Sequence, residues 1–231
     1  MIEITPFEKL GRFRNDWLNA HYHFSFANYY NPARMGFGPL VVWNDDEIRA
    51  HSGFDPHPHR DMEIITYVRQ GAITHRDSLG NEGRTEAGDV QVMSAGSGIV
   101  HAEYNLEDEE TRLFQIWLQP TETGLPPRWD AAKFPRGERA GRLVPLASGE
   151  AGIEALTIHQ DATLYGATLP AGAEIAHVLR PGRRVYLVPA SGRITVNGEA
   201  AAARAGVKLE AAQEIRVAAE EDTELLLFDL P

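Results

Sequence analysis

Short strand-forming runs, cut off from one another roughly every 8–12 residues by glycine, proline, asparagine or aspartate, restrict this chain to an all-β fold. In the first half the runs fall at 40–43, 47–51, 62–69, 72–75, 90–93, 99–104 and 112–118. In the second half they fall at 141–146, 156–159, 163–169, 174–179, 185–189, 193–196, 214–218 and 224–228. Leu79-Gly80-Asn81, Glu86-Ala87-Gly88-Asp89, Ser191-Gly192 and Asn197-Gly198 separate them as turns. Many short strands at this spacing predict a sandwich or barrel with little helix.

Composition narrows the functional classes. Of 231 residues, 43% are hydrophobic and 24% charged, so the chain can bury a core and is not disordered. No cysteine is present, which excludes disulfides, iron–sulfur clusters, cysteine zinc sites and a thiol nucleophile. The net charge of −11 argues against binding a phosphate backbone. The one basic cluster, Arg180, Arg183 and Arg184, sits at a Pro181-Gly182 turn and reads as solvated. Residues 1–10 carry Glu3 and Glu8 and no long apolar run, and no stretch reaches the ~20 apolar residues of a membrane span. A soluble, cytoplasmic protein without nucleic-acid or membrane partners is expected.

The stretch 119–142 differs from its surroundings. Pro120, Pro126, Pro127 and Pro135, with Gly124, Gly137 and Gly141, make it a linker or crossover. A weak internal echo flanks it. Gly71 and Gly192 stand 121 positions apart between strand runs, and Gly88 and Gly206 stand 118 apart before the next run. Two β-domains of one design are expected: 1–120, a linker over 121–141, and 142–231.

Seven of the nine histidines lie within the first 101 residues. In His57-Pro58-His59 an extended backbone points both imidazoles to one side, where they can share a metal. His101-Ala102-Glu103 repeats the geometry after the glycine-rich approach 94–98. Two such pairs facing each other offer three imidazoles and one carboxylate. That set suits Fe, Mn, Ni, Cu or Zn rather than calcium, and leaves positions open for substrate, dioxygen or water. Glu63 shares parity with His57 and His59, so an unbroken strand points it inward as a ligand, an acceptor for an imidazole N–H, or part of a polar network. Asp61 has the same parity. His75, near a hairpin turn, reads as exposed, and His51 as a strand end near the site. His159 and His177 read as structural or solvent-facing. The aromatic run 21–30, which holds His21 and His23, reads as core or a barrel lid; a cleft wall for an aromatic ligand is the sharper alternative.

These residues resemble a known family. The run 53–63 followed by Gly71 looks like the first cupin motif, and 88–105 looks like the second. With Phe24-Ser25-Phe26-Ala27 upstream they are similar to the pirin family, its bacterial members in particular. The resemblance implies a bicupin, two antiparallel β-barrels (double-stranded β-helices) face to face. It implies one metal in the N-terminal barrel, held by His57, His59, His101 and Glu103. Many cupins take the carboxylate from the place of Glu63; the pirin pattern takes it from Glu103 and keeps Glu63 behind the ligands as a partner of one of them. Gly53 only four positions before His57, and Ser94 in place of proline, depart from the general cupin pattern toward the pirin one. Shifted by 118–121 positions, the ligands fall near His177, Val178, Ala219 and Glu221, so the C-terminal barrel is expected to bind no metal. The implied activity is oxygenation of quercetin-like flavonols by O2 with release of carbon monoxide, using Fe(II) first and Mn, Ni, Cu, Co or Zn as compatible ions. Glu103 is then the general base for the flavonol 3-hydroxyl. The alternative is a metal-dependent regulator acting through protein partners. A monomer is expected.

Overall fold

The computed structural model describes residues 1–231. The chain is all β, with two single-turn 3-10 helices and no α-helix. No helix is long and apolar enough to cross a membrane. Two compact units form, one from residues 11–134 and 156–160, the other from 1–10, 135–155 and 161–231.

The first unit contains two antiparallel sheets. The larger runs in the order Arg128–Ala132, Val90–Ser94, Glu63–Gln70, Thr111–Leu118, Leu40–Ile48, Leu18–Tyr22 and Gly11–Arg14. The smaller runs Ser52–His59, Ile99–Asn105, Ala72–Asp77 and Glu82–Glu86. Leu18, Ala20, Tyr22, Ile48, Val68, Ile73 and Leu113 pack together as its apolar core, drawn from both sheets. The period-two alternation of these strands makes one face apolar and leaves the same face free for polar substitutions nearer the histidines. The runs 40–43 and 47–51 merge into the single strand Leu40–Ile48, because Asn44 and Asp45 continue the ladder to Thr111–Leu118 instead of turning. The proline-rich 119–142 stretch contributes its own strand, Arg128–Ala132, at the edge of the larger sheet.

The second unit repeats the plan. Ile2–Thr5, Gly206–Glu210, Arg184–Ser191, Thr223–Leu230, Thr163–Leu169 and Val144–Ser148 make the larger sheet. Glu174–Val178, Glu214–Ala219, Ile194–Val196 and Glu199–Ala201 make the smaller. Its interior is almost wholly aliphatic, including Leu169, Val185, Leu187, Val196, Val207, Val217, Leu225 and Leu227.

One tight turn recurs in both units. Gly71 and Gly192 each have φ +74° and join two strands. A Cβ at Gly71 would lie 2.7 Å from Thr111 Oγ1, and one at Gly192 would lie 2.4 Å from Thr223 Oγ1. Both threonines open the last long strand of their unit. The second glycine of the echo is displaced: Gly88 donates its N–H to Val68, and the residue that plays this part beyond it is Arg204, bonded to Pro189. Both hold positive φ, whereas Gly206 already lies inside a strand.

Candidate metal centre and its cavity

Two neighbouring strands of the smaller sheet carry the centre. His101 is the cross-strand partner of His57, and Ile99 of His59. A register shift between His101 and Glu103 brings Glu103 opposite Phe54. Gly53 permits this approach, since a Cβ there would lie 2.2 Å from the Glu103 carbonyl oxygen.

His57 Nε2 lies 3.1 Å from His101 Nε2. Ligand atoms of His57, His59 and His101 all lie within 4.8 Å of one another. Several further features prepare these imidazoles as neutral donors. His57 Nδ1 donates to the Asp55 carbonyl at 2.7 Å, which leaves Nε2 with its lone pair free. Burial, and then the neighbouring imidazoles, push His59 down to about 4 and His101 down to about 3. The Nε2 atom of His59 is buried without a hydrogen-bond partner. Crowded imidazole nitrogens, one of them buried without a partner, are the donor set of a divalent transition metal, and the residues fit one.

Glu103 sits deeper. Its Oε1 accepts from Gln91 Nε2 at 2.6 Å and Thr66 Oγ1 at 3.2 Å; its Oε2 accepts from Gln115 Nε2 at 2.5 Å. Three of the roughly four lone-pair sites of a carboxylate are therefore used. Glu103 groups within 4.8 Å with His101 and His75, outside the cluster of His57, His59 and His101.

His75 is a correction. It is 1% exposed, because Trp129 from the proline-rich stretch stacks flat on it at 4.9 Å and 8°. Its Nδ1 lies 3.4 Å from His101 Nδ1 and its Nε2 lies 2.9 Å from Asp77 Oδ2. Burial works against the Asp77 charge, yet hydrogen bonds from His75, from Asn81 and from the Leu79 N–H hold its carboxyl below the usual range. The sequence signal for this pair was present: His75-Arg76-Asp77 is a third alternating pair with the spacing of the other two.

Glu63 corrects the expectation that it stands behind a metal-binding imidazole, and agrees with its other reading as a buried carboxylate in a polar network. It accepts from Ser94 Oγ at 2.8 Å and from the His159 backbone, not from His57, His59 or His101. Its parity with His57 fails because Asp61 turns the chain with φ +48° between the two strands. Asp61 ties that turn to the proline-rich stretch by accepting from the Gly124 N–H at 2.7 Å. His51 is exposed and meets Asp108 at 3.0 Å. His23 is buried against Trp43. His177 meets Asp229 at 2.8 Å in the second unit.

The centre opens into a cavity of 460 Å³ lined by the three histidines, Glu103 and Gln115, with aromatic walls from Trp17, Tyr22, Phe26, Phe54 and Trp117. Trp117 meets His59 edge-on at 4.9 Å and Phe26 at 5.4 Å. Tyr22 and Phe26 thus place part of the aromatic run in a cleft wall, while Phe24 is core. The volume lies in the range of small-molecule sites.

The pirin family model matches residues 4–118, and the model of the quercetinase C-terminal cupin domain matches residues 145–230. The chain belongs to the pirin family. A pirin relative from Escherichia coli strain K12, named quercetin 2,3-dioxygenase, is 42% identical over 232 residues, covering 100% of this chain and 99% of that one. A provisionally named quercetin 2,3-dioxygenase of Pseudomonas aeruginosa is 60% identical over 231 residues, the full length of both. The bacterial pirin YhhW of Escherichia coli, crystallised with nickel(II), matches with a TM-score of 0.95 at 41% identity, covering 100% of this chain and 99% of that one. Both pirin units accordingly have the cupin fold.

Proposed function

We propose that this pirin is a metal-dependent dioxygenase that opens quercetin-like flavonols with O2 and releases carbon monoxide. The opening of three clustered imidazoles into an aromatic-walled cavity of 460 Å³ is the observation that carries this reading. His57, His59 and His101 hold the metal and Glu103 completes the set, with Fe(II) as the working ion and Mn, Ni, Cu, Co or Zn as compatible ones. When bound, the metal supplies Lewis acidity and electron exchange with dioxygen.

The chain's own residues do the rest. Trp17, Phe26, Phe54 and Trp117 receive the flat rings and exclude water. Glu103, held by Gln91, Gln115 and Thr66, takes the proton of the flavonol 3-hydroxyl. Cytoplasmic location, a monomeric state and the absence of membrane or nucleic-acid partners are part of the same proposal.

Quercetin consumption under O2 by the Fe(II)-reconstituted protein tests the reading, with His101→Ala as control. Turnover by the wild type and none by the variant supports it. No turnover by metal-loaded wild type counts against it, and favours a regulatory role through protein partners.

A further inference from the structure

A row of polar side chains crosses the larger sheet of the first unit at one register. Tyr22 pairs with Asn44, Asn44 with Gln115, Gln115 with Thr66, and Thr66 with Gln91. Gln115, Thr66 and Gln91 spend their donors on Glu103. Asn44, next in the row, does not: it is 5% exposed and its Oδ1 has no partner. Asp46 stands two residues along the same strand, hence on the same face. It is 2% exposed, and its Oδ1 also has no partner. Its neighbour Asp45, on the opposite face, is ion-paired with Arg69.

Buried polar groups are as a rule hydrogen-bonded, and leaving one unpaired is costly. Two of them side by side, both lining the cavity of the histidines, mark a place prepared for a ligand's polar group. The ligand has to bring a flat apolar body, since Trp17, Phe26, Phe54 and Trp117 make the walls. It also has to bring a hydrogen-bond donor, because both unpaired atoms are oxygens. An aromatic hydroxyl satisfies both demands. Burial, then the charges of Asp45 and Glu103, push the Asp46 carboxyl well above its usual range, and burial with Asp46 beside it pushes the Tyr22 hydroxyl up to about 12. Neither shift suits a site built to keep a free charge.

We propose that Asn44 and Asp46 form a specificity subsite that binds a second hydroxyl of the substrate, distinct from the one presented to the histidines and Glu103. The proposal rests on the reading of the cavity as a flavonol site and makes its preferred ligands polyhydroxylated aromatics.

Tryptophan fluorescence quenching tests it, with the nickel(II)-loaded protein titrated without oxygen against quercetin and against 3-hydroxyflavone, which keeps the 3-hydroxyl but lacks the hydroxyls of the two outer rings. The wild type is expected to prefer quercetin by about tenfold or more, the effect of one good hydrogen bond. Asp46→Leu and Asn44→Leu are expected to abolish that preference while holding 3-hydroxyflavone affinity within about twofold. Their melting temperatures should stay level or rise, because an unsatisfied polar group is gone. Asp46→Asn, which keeps the side chain's shape, should retain part of the preference and serves if a leucine variant misfolds. An unchanged preference in the variants overturns the subsite alone. No quenching of the wild type by either flavonol overturns the flavonol reading, and the subsite with it.

Discussion

His75 Nδ1 faces His101 Nδ1 at 3.4 Å, while the other His75 nitrogen is fixed on Asp77 at 2.9 Å. Asp77 accepts the Nε2–H of His75, so a neutral His75 presents Nδ1 as an acceptor. His101 then carries its proton on Nδ1 and turns an unprotonated Nε2 toward His57. A carboxylate two imidazoles away thus selects the tautomer that binds a metal.

Breaking this chain of contacts should weaken metal binding without removing a ligand. Asp77→Asn and His75→Phe are each expected to lower affinity about 10–100-fold, the usual effect of losing a partner behind a metal ligand. Chelator competition with nickel(II) measures it. Wild-type affinity in both variants would show that the contact does not set the tautomer.

Glu103→Gln tests the base role. Gln91 cannot rotate to meet the new amide, because its Oε1 already accepts from Thr85 Oγ1 at 2.9 Å. Gln115 has no such second bond and can turn its oxygen to the new NH2. The variant should therefore fold and keep much of its metal, with a melting point a few degrees lower. Turnover of quercetin should fall by ~10²-fold. Unchanged turnover removes Glu103 from that role.

The histidine cluster predicts how the metal-free protein responds to acid. An unfolded histidine titrates near 6.5, whereas His59 and His101 in the fold are lowered to about 4 and about 3. Between those values the unfolded chain binds protons that the folded one refuses, so stability falls as pH drops from 6.5 toward 4. Melting curves of the metal-free protein over this window should show the fall, and His101→Asn should flatten it. A wild type with a level melting point from pH 7 to 4.5 would contradict the lowered values.

The recurring turn gives each unit its own handle. Alanine at Gly71 or Gly192 would be forced into positive φ and against a threonine hydroxyl. Each substitution is expected to cost about 1–2 kcal/mol from backbone conformation alone. Denaturant melts of the single variants measure the loss. Stability equal to the wild type in either would mean the turn relaxes.

Much of the centre was legible because a strand has period two. His57 with His59, and His101 with Glu103, share faces for that reason alone, and the Gly71–Gly192 echo follows from a turn that demands positive φ. The same rule misplaced Glu63, since parity survives only while the strand does and Asp61 breaks it. His75 was missed because its burial comes from Trp129, more than fifty residues later in the chain.

Local chemistry in the sequence determined the strands, the turns and the three imidazoles that share a centre. Only tertiary structure decided what surrounds them. Glu103 meets Thr66, Gln91 and Gln115 because three strands of one sheet present their polar side chains to the other, and Asn44 and Asp46 are left unpaired by the same register. Period two fixes which side a residue faces; which residues meet across a barrel depends on the pairing of distant strands, and one step of register would change every partner.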